Sequence, residues 1–295
     1  MKNIFTIILL LSAAALFCQE YIVDYVDGIV DIQNGRSWSE VFSGDSIARG
    51  ATIRLENGAI IELSSGPTKL VLSQAGTYEL SNFKPLPSGR NSVGSMVSHK
   101  LKSMVISNRT NKSAVMGVRA SDAADEISLE WMSSESTELL QSGKEKLDNA
   151  DIPGALDDFE MALDFAREYS EERETEAARF YIGYTNTLLG KNGPALKALS
   201  EVAPDVEQDF YNELIILKGN LLLQSFAYEN AISWLEDFNP AKASLETRQT
   251  VSLLMGFAYE GRGDEAKALS LFKEVQKMDP KSETGILAAD LAGKM

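Results

Sequence analysis

One cysteine and one histidine occur in the 295 residues. Cys18 has no second thiol to pair with, so no disulfide can close within the chain. Thiol catalysis, Ser-His-Asp hydrolysis and zinc sites all need residues that are not there, because His99 stands without partners. No Gly-rich phosphate loop running into Lys and Ser/Thr is present. Basic charge is also scarce: 28 Lys and Arg against 43 Asp and Glu give a net charge of −15, which argues against nucleic acid. Apolar runs are short. Only Ile4 to Phe17 is long, and it falls below the roughly 20 residues of a spanning helix.

What remains points to a non-enzymatic protein without cofactors or metals. Paired carboxylates such as Asp157-Asp158 and Glu171-Glu172 read as solvated helix faces and turns. The N-terminal run follows Lys2 and carries small residues from Ser12 to Ala15, the pattern of a secretory signal peptide over residues 1–18. The expectation is therefore export to the periplasm with no transmembrane segment in the mature chain. Two readings of Cys18 stay open. It is either the small residue at the cleavage point, leaving Gln19 as the new N-terminus, or the acylated anchor of a lipoprotein, with Phe17 where a small residue is usual.

The acidity is uneven. Residues 19–120 hold 11 Lys and Arg and 9 Asp and Glu, whereas residues 121–295 hold 16 and 34. This split, together with a change of periodicity, predicts a multidomain α+β chain with an all-β part followed by an all-α part. From Tyr21 to Leu80 apolar residues alternate, as in Ile53 and Leu55 or Ala59, Ile61 and Leu63. Turn signals at Asn34-Gly35, Gly44-Asp45, Asn57-Gly58 and Ala75-Gly76 break the strands into short pieces. That spacing predicts a small sandwich or barrel, with Asn57-Gly58 as a tight hairpin. Val30, Ile32, Trp38, Val41, Leu70, Leu72 and Tyr78 are the expected core.

Between Leu80 and Arg119 there is no acidic residue and there are seven basic ones: Lys84, Arg90, Lys100, Lys102, Arg109, Lys112 and Arg119. Val93, Met96, Val97, Leu101, Met104 and Val105 recur at helical spacing, predicting a basic amphipathic helix near 93–106. It either packs on the β-domain with its charges in solvent or meets an anionic surface such as lipid headgroups or the acidic C-terminal half. Residues 121–135 read as a linker running into helix, with Trp131 expected where the domains meet.

The stretch Phe42 to Ala51, then Leu55-Glu56-Asn57-Gly58-Ala59 and Ile61-Glu62-Leu63, and finally Ser113 to Ala120 resembles the FecR domain, a periplasmic all-β module. The resemblance covers roughly Tyr21 to Ala120 and implies an extracytoplasmic binding domain over 19–120. With no cytoplasmic segment expected ahead of the signal peptide, the sigma-regulating role of FecR itself does not carry over.

In the second half a glycine is followed twelve residues later by an alanine four times: Gly143 and Ala155, Gly183 and Ala195, Gly219 and Ala231, Gly256 and Ala268. The glycines lie 40, 36 and 37 residues apart. Large apolar residues follow each alanine at a fixed offset, as Phe159 and Phe272 do, and Gly190 and Gly263 suit turns between helices. The pattern resembles the tetratricopeptide repeat (TPR), a helix–turn–helix unit of about 34 residues. The resemblance implies four copies over 136–281 with a capping helix over 282–295. The long first interval implies extended helices around 164–178.

Such arrays line a groove with their first helices. The register places Lys144, Phe180, Tyr184, Asn220, Gln224, Phe257 and Glu260 there, with Leu140, Leu188, Ile216 and Leu253 alongside. This mixture suits an extended or helical peptide. The expectation is a periplasmic protein-binding adaptor. The alternatives are a cell-wall or glycan-binding module whose β-domain contacts peptidoglycan while the repeats self-associate, and a lipoprotein subunit of an outer-membrane assembly complex.

Overall fold

Strand alternation and helical register separate the chain into a β unit and a helical unit. The computed structural model describes residues 20–83 and 134–295. The expected signal peptide with Cys18, the basic stretch with the 93–106 helix and His99, the 113–120 motif, and most of the 121–135 linker including Trp131 lie outside the described residues.

The β unit has eight strands: β1 (Glu20–Asp27), β2 (Val30–Asn34), β3 (Ser37–Glu40), β4 (Ser46–Ala48), β5 (Thr52–Leu55), β6 (Ile60–Ser65), β7 (Thr68–Leu72) and β8 (Gly76–Glu79). They form two antiparallel sheets, in the orders β4-β1-β6-β7 and β3-β2-β5-β8. Alternate residues of both sheets bury Tyr21, Val23, Ile47, Ile61 and Leu63 against Val30, Ile53 and Leu55, so the core is that of a sandwich. Val41, Leu70 and Leu72 are in this core as expected, and Ile32 and Tyr78 pack against it half-buried.

Two expectations fail here. Asn57-Gly58 does not close a hairpin, because β5 and β6 belong to different sheets. Only Gly58 takes a left-handed angle (φ +79°), and the Ala59 N–H donates to the Glu56 carbonyl at 3.1 Å, so the turn carries the chain from one sheet to the other. Trp38 is not core either. In β3 it pairs with Gln33, on the face of Asp31 and Arg54, and the Arg54 guanidinium lies over its ring at 4.7 Å.

The helical unit runs α1 (Glu135–Asp148), α2 (Ile152–Glu168), α3 (Glu172–Leu188), α4 (Asn192–Ser200), α5 (Tyr211–Gln224), α6 (Tyr228–Glu236), α7 (Leu245–Arg262), α8 (Glu265–Met278) and α9 (Glu283–Lys294). The extra length of the first interval lies in α2, of 17 residues, where the corresponding second helices α4 and α6 have nine. Caps fix the boundaries. Asp151 and Asp264 accept from the N–H groups of Gly154 and Lys267 at 3.1 Å, and Ser244 and Ser282 accept from Thr247 and Gly285 at 3.0 Å. No helix among the described residues is long and apolar enough to cross a membrane.

The glycine register has a geometric cause. A Cβ on Gly143, Gly183, Gly219 or Gly256 would lie 2.5–2.7 Å from the side chain of Phe159, Leu199, Leu235 or Phe272, respectively. Each partner sits sixteen positions after its glycine. The alanine one turn earlier (Ala155, Ala195, Ala231, Ala268) is fully buried. The large residue therefore fills the space a glycine side chain would need, and the alanine lets the paired helix approach beside it.

Seven positions after each of these glycines the backbone turns left-handed: Ala150 (φ 61°), Gly190 (φ 69°), Phe226 (φ 58°) and Gly263 (φ 89°). Three of the four helices close the same way. The N–H groups of Asp151, Lys191 and Asp264 reach back to the carbonyls of Lys146, Asn186 and Tyr259 at 2.8–2.9 Å, a Schellman cap. An alanine in this conformation costs about 1–2 kcal/mol, part of which glycine returns through its larger unfolded-state entropy. Ala150 is exposed, so Ala150→Gly is expected to raise stability by about 0.5–1 kcal/mol. A urea midpoint that stays put or falls would contradict this account of the turn.

Candidate protein-binding surface

The first helix of each repeat could face a ligand with three rows of side chains. The row three residues before the glycine is closed. Leu140, Phe180, Ile216 and Leu253 are all buried. Phe180 is the clearest case: its ring stacks on Phe210 at 4.4 Å and 9°, and meets Tyr181 edge-on at 5.1 Å. This row contributes packing, which corrects the expectation that Phe180 lines an open groove.

The row one residue after the glycine is mixed. Tyr184 and Asn220 are buried, Tyr184 stacking on Phe180 at 6.4 Å. Lys144 is half-buried, its Nζ 4.8 Å from the centre of the Tyr181 ring. Phe257 is half-buried, edge-on to Phe272 at 5.4 Å. In the third row Leu188 and Glu260 are exposed, and half-buried Gln224 accepts from the Asn192 amide at 3.1 Å. The accessible part of the expected groove is therefore Lys144, Leu188, Gln224, Phe257 and Glu260. Tyr184, Asn220 and Phe180 offer a ligand little surface.

A second concavity was not anticipated. A cleft of about 900 Å³ lies between the end of α2, the first half of α3 and the loop before α5, lined by Arg167, Arg173, Glu176, Arg179, Glu207 and Gln208 among others. Its charges are largely spent on one another. Arg179 bridges Glu176 and Glu201 at 3.2 Å each, Arg167 reaches Glu201 at 3.5 Å, and the second Glu176 oxygen accepts from the Ala203 N–H at 2.8 Å. These contacts hold the loop against α3. The sequence signal was three arginines at six-residue spacing, which no helical face collects and only the fold brings together.

A buried carboxylate and a half-buried amine shape this half. Asp158 sits between α1 and α2, where Lys146 Nζ donates to it at 2.7 Å and the Ser142 hydroxyl at 2.7 Å. Burial alone would raise its pKa, but these hydrogen bonds outweigh it and hold the carboxyl below the ordinary value. Lys218 has no such anion. Its Nζ lies 3.8 Å from the centre of the Trp234 ring, and burial lowers its pKa from 10.5 to about 8, against a small opposing pull from Glu176.

The folded value of Lys218 lies below the unfolded one. Between about pH 8 and 10.5 the unfolded chain therefore holds a proton that the folded chain has released, and Lys218 makes stability rise with pH across that window. Lys218→Met should lack this rise. Parallel stability–pH curves for variant and parent from pH 8 to 10.5 would show that the amine is not desolvated.

Among the described residues no group of three or more His, Cys, Asp or Glu could hold a metal ion. No family model matches the chain, and no curated protein matches it. Solved structures similar to part of this chain include two. One is MamA 41-end from Desulfovibrio magneticus RS-1, at 19% identity and a TM-score of 0.43, over 55% of this chain and 94% of that one. The other is the MamA RS-1 ArsTM double mutant, at 19% identity and a TM-score of 0.42, over 54% of this chain and 91% of that one.

Proposed function

We propose that this chain is a non-catalytic, protein-binding adaptor of the bacterial envelope, holding a partner segment along its TPR-like array. The observation that carries this reading is the set of accessible side chains one and four or five positions after the repeat glycines of the first helices. It combines a cation, an amide, an aromatic ring and a carboxylate: Lys144, Gln224, Phe257 and Glu260. Such a set can grip an extended or helical peptide by several separate contacts. The short apolar run behind Lys2 supports export, and the FecR-like residues between Phe42 and Leu63 support an extracytoplasmic β-domain as a second contact point.

Photoreactive amino acids at Lys144 and at Phe257 in the full chain test it in the native cell. Both should capture the same protein, and one at Ile286, exposed on the terminal helix, should not. Capture no greater than at Ile286 would sink the adaptor reading.

One observation favours a second reading, in which the β-domain binds cell-wall glycan. The outer face of the β3-β2-β5-β8 sheet carries Trp38 beside Arg54 and Asp31, an aromatic plate with hydrogen-bonding neighbours. Retention on purified cell wall that falls with Trp38→Ala and is untouched by changes at Lys144 and Phe257 would favour it over the adaptor.

A further inference from the structure

Helix α2 presents a long, largely exposed face. Met161, Phe165 and Tyr169 recur every four residues along it, with Met161 49% and Tyr169 65% exposed. Beside them runs a row of carboxylates, Asp157, Glu160, Asp164 and Glu168, also exposed and in no ion pair with a described residue. The contrast with Asp158, one position from the row and paired with Lys146, is plain. Burial and then repulsion from Asp157 and Asp164 raise the pKa of Glu160, with Lys191 only partly offsetting them.

A segment of the same chain has the complementary character. Residues 84–119 hold seven Lys and Arg and no Asp or Glu, and within them Met96, Val97, Leu101 and Met104 recur at helical spacing on the side of Lys100, with Lys102 about 200° further round. Geometry allows the meeting. The chain re-enters the described structure at Ser134, the cap of α1, and the Ser136 hydroxyl donates to Glu171, just past the Tyr169 end of α2. About thirty residues separate Val105 from that point, far more than the roughly 26 Å length of α2 requires. Tethering also gives the segment an effective concentration near the millimolar range, which a free partner must exceed.

We propose that residues 93–106 dock on the outer face of α2, apolar side chains on Met161, Phe165 and Tyr169, and Lys100 against the carboxylate row. The docked segment sets a cation against the row and covers the apolar stripe, so the surface left for partners is the first-helix row on other elements.

Carbodiimide coupling of full-length protein, mixed from light and heavy isotope preparations, tests this directly, because it joins only amines and carboxylates already in contact. The expected result is a set of links from Lys100 to Asp157, Glu160, Asp164 or Glu168, within single molecules. These links should fall several-fold in about 1 M salt, where the screening length is near 3 Å. They should fall again in Asp157→Lys/Asp164→Lys and, independently of any change to the repeats, in Leu101→Asp. Links from Lys100 to carboxylates of the β unit, links only between light and heavy molecules, or no links at all would each overturn the proposal. The first would place the segment on the β-domain, and the second would place a second copy on α2.

Discussion

Gly256→Ala is expected to destabilise the protein by about 1–3 kcal/mol, although alanine is the better helix former by about 1 kcal/mol. The new methyl carbon would sit 2.5 Å from Phe272 Cε1 and 2.8 Å from Cδ1, well inside the 3.5–4.0 Å of a normal carbon contact. The ring has nowhere to go. Phe272 is fully buried and already edge-on to Phe257, so relief requires parting α7 from α8. Gly256→Val should be worse, since its second branch enters the same crossing.

Gly293→Ala is the matched control. That glycine is also helical, in α9, but has nothing within 4 Å of the added carbon, so the substitution should gain some tenths of a kcal/mol. Gly256→Ala with unchanged or raised stability would refute the crossing as the reason for the register. The pair with Phe272→Ala sharpens the test: once the ring is gone the methyl fits, so the double variant should lose less than the sum of the singles, by about 0.5–3 kcal/mol of coupling.

That crossing was legible in the sequence because a close helix approach leaves a residue-type signature, small at two fixed positions and large at a third. Other features leave none. Gly190 and Gly263 announced left-handed caps, but Ala150 and Phe226 take the same angles at the equivalent positions without glycine. Their conformation is imposed by the helix pair, not by local preference. Asn57-Gly58 announced a turn correctly, yet a turn does not encode whether the next strand joins the same sheet or the opposite one. Trp38 shows the limit of alternation in a four-residue strand, where one ring can serve either face and here lies under Arg54. The groove was the least legible part. A repeat position can be named from one unit, but its exposure depends on how far the neighbouring unit and its loops close over it.

Phe180→Ala measures that last effect, with an expected loss of about 3–5 kcal/mol. The ring is 1% exposed and lies at the centre of an aromatic cluster of Tyr181, Tyr184 and Phe210. Phe210 belongs to the loop that joins α4 to α5, so the stack pins that loop while Arg179 and Glu176 hold its other end. Truncating Phe180 removes the partner of Phe210 and opens a cavity beneath it. Amide exchange across residues 201–210 should therefore speed up in the variant more than exchange in α7 and α8, which share no side chain with the cluster. Phe180→Leu keeps most of the volume but loses the stack, and should fall between parent and alanine variant. A ligand-lining ring would behave in the opposite way: Phe180→Ala would leave stability and exchange near those of the parent and abolish capture of a partner at Lys144. Retained stability with lost capture would return Phe180 to the groove and reopen the buried row as a binding surface.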